Sequence, residues 1–198
     1  MTIRMNQEQE TTACRALDDY RRRWPEEAPT CGLFAALLED AGDPFVRERL
    51  HGHFTASAWL VSADARRLLM THHRKLGRWL QLGGHADGER NLVAAALKEA
   101  QEESGLRGLR IEAAIFDLDR HWIPRHGDVP AHWHYDQRYV IHAGDGEDFV
   151  VSDESHDLAW RDIRELAEDE TTEPSVRRMA RKWLSRIGAL EAPPARTR

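Results

Sequence analysis

The chain has 198 residues, a formal net charge of -6, 41% hydrophobic residues and 31% charged residues. That length fills one good core, or one domain with a sizeable appendage, and the composition is that of an ordinary globular protein. The acidic balance excludes a global field that draws the protein to a nucleic acid polymer or an anionic membrane, so an anionic substrate has to be met locally, by a metal or by clustered arginines.

Residues 7–50 read as helical. Ala13, Leu17 and Tyr20 recur at helical spacing until Pro25 stops the run. A second helix is expected over 29–41, with Leu33, Phe34, Leu37 and Leu38 as its buried stripe and Gly42-Asp43-Pro44 as its end. This stretch holds both cysteines, Cys14 and Cys31, which have no metal-ligand spacing. Two thiols in such a chain fit a reducing compartment, with one disulfide still open. The first residues, MTIRMNQEQE, lack the apolar core of a signal peptide, and no apolar run is long enough to span a bilayer. A cytoplasmic protein is the expectation.

From residue 52 the character changes. Segments 54–61 and 67–71 read as strands joined by a turn at 62–65. A polar loop over 72–78, with Arg74, Lys75 and Arg78, leads through Trp79 to a Gly83-Gly84 turn. A strong helix follows over 91–104, ended by Gly105. Longer strands are expected over 109–118 and 132–142, a short one near 158–162, and closing helices over 162–168 and 174–187. The fold class is α/β (α+β): a mixed sheet between helices. It divides into a helical extension (1–50), a main domain (51–190) and a disordered tail (191–198).

The chemistry concentrates in residues 83–106, GGHADGERNLVAAALKEAQEESGL. Glu99, Glu102 and Glu103 are spaced i, i+3 and i+4, so their carboxylates share one helix face. Crowded like charges repel, and a hard divalent cation relieves that cost; Mg²⁺ and Mn²⁺ commonly join carboxylates to substrate phosphates. On spacing alone a solvated acidic face is the readier explanation.

The context goes further: this segment resembles the Nudix box, which runs Gly, five residues, Glu, seven residues, then Arg-Glu-apolar-x-Glu-Glu-x-Gly-apolar. Its second half falls on Lys98, Glu99, Ala100, Gln101, Glu102, Glu103, Ser104, Gly105 and Leu106. With HGHFTASAWLV and HRKLGRWLQLGGH before the box and LAWRDIREL after it, the likeness covers roughly 51–166 and is similar to a bacterial Nudix subgroup. It implies the Nudix fold and a metal-dependent pyrophosphohydrolase that cleaves a small-molecule diphosphate, either a nucleoside diphosphate-X compound or another organic diphosphate. Glu99, Glu102 and Glu103 would hold Mg²⁺ or Mn²⁺. Glu154, six residues ahead of Trp160, matches an extra catalytic glutamate of such enzymes; Glu99 or Glu154 is the expected base. Two positions depart from the box. Its first glutamate falls on Arg90, with Glu89 one residue early, and its arginine is Lys98, which cannot make a bidentate guanidinium contact.

Arg74, Lys75 and Arg78 can hold outer phosphate oxygens, with Gly83, Gly84, His85, His134 and Asp136 as further substrate contacts. Trp122, Trp133 and Tyr135 can stack on a nucleobase or simply pack. Among 11 histidines, His132 and His134 alternate with Asp136 along one strand and so face one side. Together with His85 they suggest a second metal site. This is similar, more distantly, to isopentenyl-diphosphate isomerase, whose turn carries a catalytic cysteine where this chain has Leu82-Gly83-Gly84-His85. Two rival readings follow: an isomerase-like enzyme using a His/Asp metal site, and a non-catalytic Nudix-fold ligand-binding module, which would ordinarily have lost the box carboxylates. The extension can cap the pocket or mediate a homodimer.

Overall fold

The computed structural model describes residues 7–74, 77–144, 146–151 and 155–191. In chain order these form α1 (Gln7–Arg23), a single 3-10 turn (Pro25–Glu27), α2 (Ala28–Glu39), β1 (Gly52–Val61), β2 (Arg67–His73), β3 (Arg78–His85), α3 (Leu92–Ser104), β4 (Arg110–Ile123), β5 (His132–His142), β6 (Ser155–Asp162), α4 (Ile163–Glu168) and α5 (Pro174–Glu191). One mixed sheet has the order β4-β5-β1-β3-β2-β6. The β1–β5 pair is parallel; the other neighbours run antiparallel. The expected mixed sheet between helices is therefore what the chain builds.

Strand β1 sits at the centre and is buried along its whole length. Its side chains alternate between two layers. Phe54 and Ala56 enter a core with Leu17 and Tyr20 of α1, Phe34 of α2, and Ala95 and Ala96 of α3. Trp59 and Val61 enter the opposite core with Val176, Met179 and Trp183 of α5 and Ile163 of α4. Each large apolar side chain so buried contributes roughly 1.5–3 kcal/mol.

Helices α1 and α2 pack onto the sheet. Lys182 of α5, itself buried, reaches the Tyr20 hydroxyl at 2.7 Å, Glu27 at 2.6 Å and Asp117 of β4 at 2.7 Å, and lies 4.6 Å from the centre of the Trp24 ring. Arg23 donates to the Ile115 carbonyl at 3.0 Å. Burial and the charge of Asp117 push the Tyr20 phenol well above its ordinary range, so it remains a neutral member of this network. Cys31 is a buried free thiol, and Cys14 is exposed.

Several boundaries differ from the sequence reading for identifiable reasons. Helix α2 begins at Ala28 and buries Cys31, Phe34 and Leu37, whereas Leu33 is 39% exposed; the apolar stripe is rotated by its contact with Phe54 and Tyr135. The polar stretch 72–78 is strand at both ends, because β2 and β3 pair as far as His73 and Arg78, and its described inner residues, 74 and 77, are turn. Gly83-Gly84 is not a turn: both residues lie inside β3, opposite Ser57 and Ala56. The expected tail, 191–198, lies outside the described residues apart from Glu191.

Candidate active site

Helix α3 begins at Asn91, whose side chain accepts from the Ala94 amide, and stops at Gly105, where φ is +69° and the amide donates to the Gln101 carbonyl. Leu92, Ala95, Ala96 and Ala100 point into the sheet. The glutamates follow from that orientation. Glu103 is 9% exposed, and one of its oxygens accepts from the Gly83 amide at 3.4 Å. Glu99 lies against Gly84, where a Cβ would meet its Oε2 at 2.5 Å. Glu102 faces solvent, 59% exposed, with Lys98 at 3.5 Å.

The two glycines therefore serve opposite faces of β3. A side chain at Gly84 would fill the place of the Glu99 carboxylate; one at Gly83, where φ is +155°, would meet Ser57 Cα at 2.7 Å and the Ala56 carbonyl at 2.8 Å. Glycine inside a strand here marks close approach rather than a bend.

The departure at position 90 has a structural counterpart. Arg90 turns to the extension, pairing with Asp43 at 2.7 Å and lying 5.2 Å from the centre of the Phe45 ring. Arg47 grips Asp87 through two hydrogen bonds of 2.6 and 2.5 Å, and the Gly88 amide donates to the Phe45 carbonyl at 2.8 Å. The loop between β3 and α3 is thus braced from segment 43–47. Sequence reasoning registered the departure at Arg90 but not its partner.

On the α5 side of the sheet, side chains in register form ranks across the strands. His121 of β4 stands opposite His134 of β5, which stands opposite His53 of β1. His132 on β5 and His85 on β3 flank them, and ring centres lie 4.9–5.2 Å apart for His53 with His85, His132 and His134. His85 and His134 are 5.0 Å apart. Burial, then the charge of Arg47 and the neighbouring imidazoles, pushes His85 down to about 4. Burial and four surrounding histidines push His134 down to about 2. Both are neutral at physiological pH. His53 was missed: its partners arrive through strand pairing, and the only local trace is the alternation of polar 53, 55 and 57 with apolar 54, 56 and 58.

Asp136 shares the face of His132 and His134 but belongs to the next rank. It accepts from Thr55 at 3.0 Å, Ser57 at 2.9 Å and Arg138 at 2.7 Å. Arg138, 2% exposed, also touches Asp117 and Asp119 at 3.2 Å. Burial raises the Asp119 carboxyl, yet the His121 hydrogen bond and the charges of Arg138 and Arg178 outweigh it and hold it below the usual carboxylate range.

The remaining candidates are dispersed. Arg74 and Arg78 lie exposed near the β2–β3 hairpin, the latter about 16 Å along β3 from Gly83, on a cleft of about 490 Å³ with Trp79, Arg161 and Glu173. Lys75 and Glu154 lie outside the described residues. Trp122 is 51% exposed and packs on Trp133 at 4.9 Å, with the Arg120 guanidinium 3.8 Å from the centre of the Trp133 ring; Tyr135 packs edge-on to Phe34.

Among described residues no helix is long and apolar enough to cross a membrane. No curated protein matches the sequence. Solved structures of the same fold include a Nudix-family hydrolase from Clostridium perfringens, 22% identical, covering 70% of this chain and 99% of its own, with a TM-score of 0.55. A C. elegans Ap4A hydrolase is 13% identical, covering 69% and 98%, at 0.54. The E. coli dihydroneopterin triphosphate pyrophosphohydrolase is 17% identical, covering 67% and 95%, at 0.53. The model of the NUDIX domain matches residues 52–183; the chain belongs to that family, and by that membership it is a Nudix-type hydrolase.

Proposed function

We propose that the protein is a Mg²⁺- or Mn²⁺-dependent pyrophosphohydrolase acting on a small organic diphosphate, with Glu99, Glu102 and Glu103 as its metal-binding residues. The observation that carries this reading is the seating of Glu99 against the Cα of Gly84, in space that any side chain would fill, with Glu103 one turn on against the Gly83 amide. Three carboxylates offer the oxygen donors that hard divalent cations take. When bound, the cation neutralises diphosphate charge and makes phosphorus a better electrophile.

The chain's own contribution is positioning. Gly83 and Gly84 let β3 approach α3, the Arg47–Asp87 and Arg90–Asp43 pairs hold the intervening loop, and Glu99 or Glu154 takes the proton of the attacking water. Arg74, Lys75 and Arg78 are assigned to outer phosphates; His85 and His134 face the other side of the sheet and Asp136 is buried against Arg138, so these three expected substrate contacts are not assigned to the diphosphate pocket. A nucleoside diphosphate-X compound is the preferred substrate class, supported by the exposed Trp122 as a base platform. The assignment includes a main domain over 51–190 behind a 1–50 extension, a cytoplasmic location and a homodimer. Retention of all three box glutamates favours a hydrolase over a ligand-binding module, and the Leu82-Gly83-Gly84-His85 segment, without cysteine, disfavours isomerase chemistry.

The test is product release from a panel of nucleoside and isoprenoid diphosphates, with and without Mg²⁺ or Mn²⁺, for wild type and Glu102→Gln. Metal-dependent release that falls by about 100-fold or more in the variant is expected. Hydrolysis that needs no metal, or that survives the substitution, contradicts the reading.

A further inference from the structure

Beyond the glutamate helix, we infer that His53, His132 and His134, with His85 beside them, form a second metal site, one selective for a transition metal with imidazole affinity such as Zn²⁺. One ring nitrogen from each of His53, His132 and His134 lies within 4.8 Å of the other two. They come from β1 and β5, which pair in parallel with His53 beside His134. The site lies on the sheet face opposite Phe54 and Ala56, which pack toward α3, so it is separate from the box carboxylates and does not depend on their role.

The hydrogen bonds around the rings set their tautomers. His53 Nδ1 lies 3.2 Å from the Arg49 carbonyl, and His132 Nδ1 lies 2.8 Å from the Pro130 carbonyl. A carbonyl only accepts, so both Nδ1 atoms carry hydrogen and both Nε2 atoms present lone pairs. Ligating histidines are commonly oriented in this way by a backbone acceptor on the far nitrogen. With an ion bound His134 would carry its hydrogen on Nδ1; without one, its Nε2–H donates to His132 Nε2 at 3.1 Å, a hydrogen bond that accounts for one of those lone pairs. It does nothing for His53 Nε2, which is buried, on a residue 2% exposed, with no hydrogen-bond partner among the described residues. Leaving a buried polar atom unmatched costs about 1–3 kcal/mol, and a cation at the centre of the group removes that cost.

The spacing fits a small cation. Two nitrogens bound to one tetrahedral ion at about 2.0–2.1 Å stand about 3.3–3.4 Å apart, and the His132–His134 pair is close to that separation. The all-nitrogen donor set selects against Mg²⁺, which demands oxygen ligands, and for zinc and its neighbours. Asp136 is not a ligand, because Arg138, Thr55 and Ser57 occupy its oxygens.

The test is titration of metal-stripped full-length protein with Zn²⁺ by calorimetry, and with Co²⁺ by its visible ligand-field bands. The expected result is one equivalent bound with a dissociation constant of about 1 µM or tighter. That affinity is retained in Glu102→Gln and weakened by about 100-fold or more in His53→Gln. Wild type that binds no zinc below about 1 mM, zinc affinity unchanged in His53→Gln, or affinity lost in Glu102→Gln overturns the assignment. Because His53 is buried, a second measurement uses wild type alone. One equivalent of Zn²⁺ should shift the ring-nitrogen resonances of His53, His132 and His134 and leave those of the exposed His51 and His126 in place; shifts confined to other histidines overturn the site equally.

Discussion

The two faces of the sheet, at the end of β3 that carries Gly83–His85, are built on different logics. On the α3 side the functional groups come from one helix, and their spacing of three and four residues places them together whatever else the chain does. On the α5 side five histidines come from four strands, β4, β5, β1 and β3, and meet only because the pairing register aligns His121, His134 and His53. The first arrangement is local and tolerates sequence change around it. The second is a property of the assembled sheet, and behind it stands a buried charge network, Asp117, Asp119, Asp136 and Arg138, that fixes the strands laterally.

Breaking that network gives the largest expected effect. Arg138→Met leaves Asp117 and Asp136 buried, and Asp119 half-buried, without their shared cation and should cost about 3–5 kcal/mol, read as a lower urea midpoint at unchanged slope. A loss below about 1 kcal/mol would show that Arg178 and Lys182 alone neutralise the cluster.

The paired glycines sharpen the comparison between faces. Gly83→Ala pushes a Cβ into the backbone of β1 at positive φ and should destabilise by about 1–3 kcal/mol. Gly84→Ala meets the movable end of Glu99, so the fold should hold while hydrolysis falls about 10–100-fold. Equal thermal shifts in the two variants, with equal activity loss, would remove the distinction between a backbone contact and a carboxylate seat.

The mildest effect is in acid. Asp119 titrates below its unfolded value of 3.8, so its contribution to stability is complete above that pH and is lost as pH falls through the folded value. The stability profile should decline below about pH 4, and Asp119→Asn should flatten that decline. An identical acid limb in the variant would assign the decline to other carboxylates.

Legibility in the sequence follows the same division. Helix α3, its Gly105 stop and the three glutamates were readable because all the signals are local. So was β5, whose bounds at His132 and His142 match the alternation of its residues. Gly83-Gly84 misled, because glycine pairs usually mark turns and nothing local reveals that a helix presses on the strand. Asp136 was grouped with the histidines two and four residues before it, although Arg138, two residues on and facing the same side, is its partner. His53 escaped because its neighbours His85, His132 and His134 lie on other strands, between 32 and 81 residues away in the chain. The weld between extension and body through Lys182 escaped for the same reason.

The central claim is that the α3 glutamates form the divalent-cation site of a pyrophosphohydrolase. Its most direct test is a Mn²⁺ titration followed by electron paramagnetic resonance, in wild type and Glu102→Gln. Because Glu102 is 59% exposed, the substitution leaves the fold intact. The account predicts saturable Mn²⁺ binding in wild type that weakens by about 100-fold in the variant. Equal binding in both proteins would contradict it.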